Sequence, residues 1–262
     1  MGLMKGKKGL VVGVANDRSL AWGIASVLAS EGAQIGFTYP NDQMKKRVNP
    51  LAQSIDSQFV EELDVANDDH LKAVFKKLKE QYGELDFIVH SVAFSDKSEL
   101  KGPYYNTSRS NFLNTMDISV YSFTALARHA VDLMPSGGSM LTLSFFGAQK
   151  AIPNYNVMGV AKAALESSVR YLAADMGPKN IRVNAISAGP VRTLASSGIG
   201  NFKSLFHLGI QESPLGRHVT QEEVGKAALY LLSDLSTATT GEILYVDSGF
   251  QACVGFSMFS GD

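Results

Sequence analysis

Short apolar runs alternate with helical patterns along the chain. The first runs span Gly9 to Gly13 and Ile35 to Tyr39, with a helical stretch from Trp22 to Ala29 between them. Further runs lie at Phe59 to Val65, Leu85 to His90, Met140 to Ser144, Ile181 to Ile186 and Ile243 to Val246. Most are continuously apolar rather than alternating, which is the pattern of strands buried on both faces of a parallel sheet. Leu71, Val74, Phe75, Leu78 and Tyr82 recur at three- and four-residue spacing and mark one buried helical stripe, which Gly83 ends. Thr220 with Glu223 has the spacing of a capping box at the start of another helix. With no repeats or low-complexity tracts, the pattern predicts one α/β domain over residues 1–262. It is a Rossmann-type, doubly wound parallel sheet of about seven strands with helices on both faces. In such a fold ligands belong at the C-terminal ends of the strands.

Composition narrows the class of function. The chain has 262 residues, 45% of them hydrophobic, enough for a full core. With 24 basic and 25 acidic side chains the net charge is -1, and no cationic footprint for nucleic acid is present. Cys253 is the only cysteine, so no internal disulfide or cysteine-based metal centre is expected, and a reducing compartment fits. His70, His90, His129, His207 and His218 lack close metal-ligand spacing, and no metal site is predicted. Met1 to Lys8 has no apolar signal, and no segment approaches the roughly 18 apolar residues of a membrane span. The expectation is a cytoplasmic protein acting on a small molecule, without membrane or nucleic acid.

The first strand runs into GVANDRSLAWG, where Gly13 opens a turn before Ser19 and Leu20. Glycine lets backbone approach a pyrophosphate, and a helix N-terminus offers free amides, although a glycine between strand and helix is also ordinary turn chemistry. Asp64 and Val65 close the third strand where adenine would meet a carboxylate or an amide; a turn-forming aspartate is the alternative. Ser91 and Ala93, in the run from His90 to Phe94, supply small residues where a ribose and nicotinamide need close backbone, or where strand and helix simply pack tightly.

The most informative stretch is LTLSFFGAQKAIPNYNVMGVAKAALE, from Leu141 to Glu166. Pro153 and Asn154 open a helix in which Tyr155 and Lys162 stand two turns apart, about 10 Å of rise, on nearly one face. Helical side chains lean toward the N-terminus, so Lys162 reaches back toward Tyr155 and a ribose hydroxyl fits between them. Hydride delivery to a conjugated thioester builds an enolate, whose oxygen needs a preplaced donor such as the Tyr155 hydroxyl.

Five segments together resemble the bacterial enoyl-acyl-carrier-protein reductases of the short-chain dehydrogenase superfamily. They are G-x5-S-L-A-x-G from Gly13, HSVAF from His90, MDIS from Met116, PNYNVMGVAKA from Pro153 and RVNAISAGPVRTLA from Arg182. Most of the wider superfamily has Y-x3-K, which would place tyrosine at position 158, where this chain has Met158; the x6 spacing resembles the enoyl reductases. The resemblance implies Tyr155 on the thioester carbonyl and Lys162 on the nicotinamide ribose. It implies Gly13, Ser19, Leu20, Asp64, Val65, Ser91, Ala93, Val191 and Thr193 along the cofactor. It further implies NADH as reductant, an acyl-carrier protein bearing the substrate, and a homotetramer.

Two positions depart from the family. Its second tyrosine, ten residues before the catalytic one, is Phe145 here, and a phenyl ring cannot donate a hydrogen bond. Pro40 stands where relatives often carry a polar or basic residue near adenine. No cation follows the second strand directly in Thr38-Tyr39-Pro40-Asn41-Asp42, so NADH is preferred over NADPH, with Lys45, Lys46 and Arg47 later on the helix that Asp42 is placed to cap.

Residues 194–214 set Leu194, Ile199, Phe202, Leu205, Phe206, Leu208 and Ile210 among Gly198, Gly200 and Gly209, and resemble the family's mobile substrate lid. A plain amphipathic helix has the same pattern. Phe94, Tyr104, Phe145, Met158, Phe202 and Phe206 are the expected substrate walls, and Lys203 and Arg217 are placed to receive an acidic carrier. The apolar tail from Phe250 to Phe259 suits a subunit interface. Two other readings compete: a 3-oxoacyl thioester reductase of the same superfamily, against which Met158 argues, and a catalytically silent dinucleotide sensor, against which Tyr155 and Lys162 argue.

Overall fold

Seven parallel strands form one sheet in the order β3-β2-β1-β4-β5-β6-β7. They are β1 (Lys8–Val12), β2 (Gln34–Tyr39), β3 (Val60–Glu62), β4 (Phe87–His90), β5 (Gly138–Ser144), β6 (Ile181–Ala188) and β7 (Ile243–Val246). The structure is a computed structural model that describes residues 2–193 and 202–253, with backbone alone at 202–205. Its helices are α1 (Leu20–Ser30), α2 (Asp42–Ser54), α3 (Asp68–Tyr82), α4 (Arg109–Met116), α5 (Ser122–Ala130), α6 (Asn156–Met176), α7 (Phe202–Gln211) and α8 (Gln221–Leu232). Strand order reverses between β1 and β4, which opens a crevice at their C-terminal ends.

Alternate residues of the central strands feed two different cores, which is why their sequences are apolar throughout. Leu10, Val12, Ile88, Met140, Val183 and Ala185 pack with Leu71 and Leu78 of α3, Phe123 of α5 and Leu165 of α6. Val11, Phe87, Val89, Leu141 and Ile186 face the other way, onto Ile24 of α1, Val48 of α2 and Val224 of α8. Helices α1 and α8 approach closely because both carry glycine at the crossing: a Cβ on Gly225 would stand 2.6 Å from the Gly23 carbonyl oxygen. Gly23, part of the first loop motif, therefore serves helix packing.

Local signals behave as their chemistry requires. Gly83 ends α3 at φ 75, and Thr220 and Glu223 close their capping box at the head of α8. The third strand is shorter than its apolar run, because Asp64 turns the chain away: its carboxylate accepts from the Ala66 amide at 3.0 Å. Asn41, rather than Asp42, caps α2, accepting from the Met44 amide at 3.1 Å. The hydrophobic pattern missed the helical region from Arg109 to Ala130, which is interrupted by a π-helical turn at Asp117–Tyr121.

Candidate active site

The segment after β5 seats both predicted catalytic side chains. Lys162 is buried, and its ammonium donates to the Leu143 carbonyl at 2.7 Å. Tyr155, also buried, lays its ring edge-on against Phe145, with centroids 5.1 Å apart, and against Gly147, where a Cβ would stand 2.5 Å from the tyrosine ring. Gly159 on α6 permits the same approach from the helix side, a Cβ there falling 2.8 Å from the Gly147 carbonyl oxygen. The sequence thus brings α6 against the end of β5 through two missing side chains.

Tyr155 is the residue just before α6 rather than a member of its first turn. Its neighbours Asn154 and Asn156 both have positive φ, 62 and 38, a region that asparagine tolerates better than most residues. The Asn156 amide also donates to the Gly102 carbonyl at 3.0 Å, tying this bend to the preceding loop. The two asparagines turn the tyrosine inward to join Leu100, Val157 and Met158, with Phe112, Phe145 and Ile152 packed against them.

Electrostatics follow from burial. Desolvation pushes the Tyr155 phenol well above its ordinary value, so it remains a proton donor at neutral pH. Desolvation pulls the Lys162 ammonium down to about 8, opposed by the Glu166 carboxylate. His90, wholly buried at the end of β4, is pushed down to about 3 by burial and by Lys162, and so is neutral. Its Nε2 lies 2.8 Å from the Ser122 hydroxyl, which donates onward to the Ile118 carbonyl at 2.7 Å. That chain puts the ring proton on Nε2 and leaves Nδ1 to accept from Thr142, 2.8 Å away.

The crevice fits a dinucleotide. Gly13 has φ 103, and a Cβ there would stand 2.2 Å from the Ser91 carbonyl oxygen, so the loops leaving β1 and β4 touch at the switch point. Ser19 caps α1, accepting from the Trp22 amide at 3.4 Å, and Leu20 begins that helix, so its open N-terminal amides face the crevice end. Lys162 has three donors and, among the described residues, one acceptor, leaving a buried ammonium with capacity for ligand hydroxyls. Asp64 spends its carboxylate and carbonyl on its own turn and its amide on His70 Nδ1, and Val65 spends its side chain on the core, so a base at this strand end would meet the Val65 backbone. The Ser91 amide donates to Val12, and the loop carrying Ala93 is held where Ser119 bonds both the amide and the carbonyl of Phe94. Val191 packs on the core beside the half-buried Thr193.

The remaining expected substrate residues divide. Phe145 and Met158 join Tyr155, and Phe94 stands half-exposed at the β4 end. Tyr104 lies in an exposed groove with Tyr105, Arg109 and Leu113, connected to the tyrosine cluster through Phe112. Phe206 on α7 stacks on His218, with centroids 3.4 Å apart, while the Arg192 guanidinium covers its ring at 4.4 Å. The Phe202 side chain, the Lys203 side chain and residues 194–201 lie outside the described residues. Arg217 is exposed and pairs with Glu223 by two bonds, at 2.6 and 3.0 Å.

An enoyl-(acyl carrier protein) reductase family model matches residues 13–251. The chain is 58% identical over 250 residues to enoyl-[acyl-carrier-protein] reductase [NADH] 1 of Rhizobium meliloti, covering 95% of this chain and 92% of that one. The chain belongs to the enoyl-acyl-carrier-protein reductase family. A Synechocystis enoyl-acyl-carrier-protein reductase [NADH] is 50% identical over 95% of this enoyl reductase and 97% of its own length. The crystal structure of the Anaplasma phagocytophilum reductase, in complex with NAD, superposes with a TM-score of 0.94 at 56% identity, over 97% of both chains. That of the Bacillus cereus reductase, with NADP+ and an indole naphthyridinone, superposes with a TM-score of 0.95 at 46% identity, over 97% of this reductase and 100% of that chain.

Several residues of this enoyl reductase that shape the site were not singled out from sequence. Ser119 and Ser122 act through the π-helical turn, and Gln221 donates from α8 to the carbonyls of Ser19 and Asp17, at 2.7 and 3.2 Å, bracing the first loop. Glu166 had a legible signal: a charged residue one turn from Lys162 on an otherwise apolar helical face.

Proposed function

We propose that the protein reduces the trans-2 double bond of an acyl thioester, presented by acyl-carrier protein, with NADH during fatty-acid elongation. The observation that carries this reading is the placement of a buried tyrosine and a buried lysine, at x6 spacing, on one segment at the end of β5.

When bound, reduced nicotinamide supplies the hydride that adds to the substrate β-carbon. As the C–H bond forms, the double-bond electrons move onto the thioester oxygen, and the Tyr155 hydroxyl donates a hydrogen bond to the developing enolate. Protonation at the α-carbon completes the reduction. Lys162 holds the nicotinamide ribose hydroxyls, and its charge favours negative charge near the phenol. Gly13, Ser19 and Leu20 receive the pyrophosphate, Asp64 and Val65 meet adenine, and Ser91, Ala93, Val191 and Thr193 line the nicotinamide half. Phe145 and Met158 wall the reacting end of the substrate; Phe94, Tyr104 and Phe206 border the acyl path.

NADH is favoured over NADPH because Pro40 and Asn41 follow β2 without a cation, while the Lys45 ammonium rests over the Tyr39 ring, 5.5 Å from its centroid. Tetramer formation is supported by exposed apolar side chains on the helical region from α4 to α6: Leu113, Tyr121, Val160 and Tyr171. No described helix is long and apolar enough to cross a membrane, and the reading sets the reaction in the cytoplasm. Following NADH consumption with crotonyl and acetoacetyl thioesters in parallel tests the reading. Turnover of the enoyl substrate alone is expected; turnover of the ketone alone defeats it, and none with either favours a silent sensor.

A further inference from the structure

Glu166 is a charged side chain with 2% of its surface exposed, one turn beyond Lys162 on α6. One carboxylate oxygen accepts from the Ser144 hydroxyl at 2.6 Å, and the other from the Gln149 amide at 2.8 Å. Both partners are neutral, and among the described residues no cation lies within ion-pair distance, so the nearest use for that charge is electrostatic and runs through Lys162.

Ser144 and Gln149 bracket the segment on which the catalytic pair sits. Between them lie Phe145 and Gly147, the two seats of the Tyr155 ring, and immediately before them Leu143 offers the carbonyl that receives Lys162. Glu166 therefore pins both ends of that segment to the helix carrying Lys162. Among the described residues the titratable groups it acts on are Lys162 on its own helix and Tyr245 on β7, whose phenol is raised by burial and then by the Glu166 charge. Asp247 and Glu242 act on that phenol in the same direction.

We propose that Glu166 is a positioning residue of the reductase, its buried carboxylate clamping residues 144–149 against α6 and supplying the counter-charge that keeps Lys162 an ammonium. The proposal rests on the ribose-anchor reading of Lys162. Opposite charge stabilises an ammonium that burial disfavours, and the carboxylate is shielded from water, so its influence is little screened. A merely structural clamp would hold the loop equally well as an amide.

The test is NADH affinity, read by fluorescence titration of the full-length protein from pH 6 to 10, for wild type and Glu166→Gln. The affinity of the wild type falls as Lys162 loses its proton; in Glu166→Gln that fall moves to lower pH by about one unit. An unmoved fall overturns the electrostatic role. Gln149→Ala, which keeps the charge and removes one tether, is expected to lower kcat about threefold or more, the effect of one lost hydrogen bond, while leaving the pH of the fall unchanged. An unchanged kcat overturns the clamp, and should Glu166→Gln not fold, Glu166→Asp, which keeps the charge but shortens both tethers, is expected to lower kcat with the pH of the fall unmoved; a moved fall overturns the counter-charge role. Wild-type protein that binds NADH with no fall across this range would instead defeat the anchor reading of Lys162.

Discussion

The ring of Phe145 meets that of Tyr155 edge to face, with centroids 5.1 Å apart and planes at 71°. A phenyl ring has no proton to donate, so what Phe145 offers the phenol is contact. Such a pair contributes about 0.5–1.5 kcal/mol beyond area burial. Phe145→Ala is expected to lower kcat by about tenfold, as the phenol loses one of its two seats. Phe145→Tyr preserves the ring and is expected to hold kcat within about threefold of wild type. Steady-state kinetics with a crotonyl thioester decide between contact and proton relay; a large acceleration in Phe145→Tyr would restore the relay.

Tyr155→Phe keeps the ring and removes the donor. The loss is expected to fall on kcat, by about 100-fold or more, with little change in KM, because the bond strengthens only as charge develops on the substrate oxygen. Since burial holds the phenol protonated, an alkaline limb of the wild-type rate is expected to follow Lys162, which burial lowers to about 8. A limb at the same pH in residual Tyr155→Phe activity is the matching result.

Lys162 also predicts a trade between stability and function. Its folded value of about 8 lies below the ordinary 10.5, so between those pH values the unfolded chain binds more protons and stability rises with pH. Below pH 8 the burial penalty is present in full. Lys162→Met is therefore expected to lose the rise between pH 8 and 10.5 and to bind NADH about tenfold or more weakly. Thermal melts of the cofactor-free protein across pH, beside NADH titrations, read both effects.

Gly147→Ala tests the seat of the tyrosine from its other side. Its Cβ would stand 2.5 Å from the Tyr155 ring, forcing the phenol to move. The expected result is a kcat loss of about tenfold or more with a fold that still assembles, since the crowded atom is a side chain at the rim of the core. Wild-type turnover would show that the ring position is not critical.

Much of this was legible in the sequence because both faces of the sheet are buried. Runs such as Leu10 to Val12 and Phe87 to Val89 are apolar at every position, which no half-exposed strand would be. Tyr155 and Lys162 were legible through their spacing and the residues around them. The edge strand is shorter than its apolar run because Leu63 makes the last bond to β2, through the Tyr39 carbonyl, while Val65 is buried with α3 beyond it, where periodicity cannot separate packing from pairing. The Arg109–Ala130 region was missed because its polar buried residues, Asn111, Thr115, Ser119 and Ser122, break the hydrophobic stripe. Those same residues hold the loops of the site, so the positions hardest to read as core are the ones spent on positioning. The stack of Arg192, Phe206 and His218 joins three distant segments and has no local signature.

A crystal structure of the protein with NADH and a non-reducible enoyl thioester analogue tests the central claim most directly. The account predicts the Lys162 ammonium within hydrogen-bond distance of the nicotinamide ribose hydroxyls, and the Tyr155 hydroxyl donating to the thioester oxygen. A bound dinucleotide whose reduced ring lies away from both groups would contradict it.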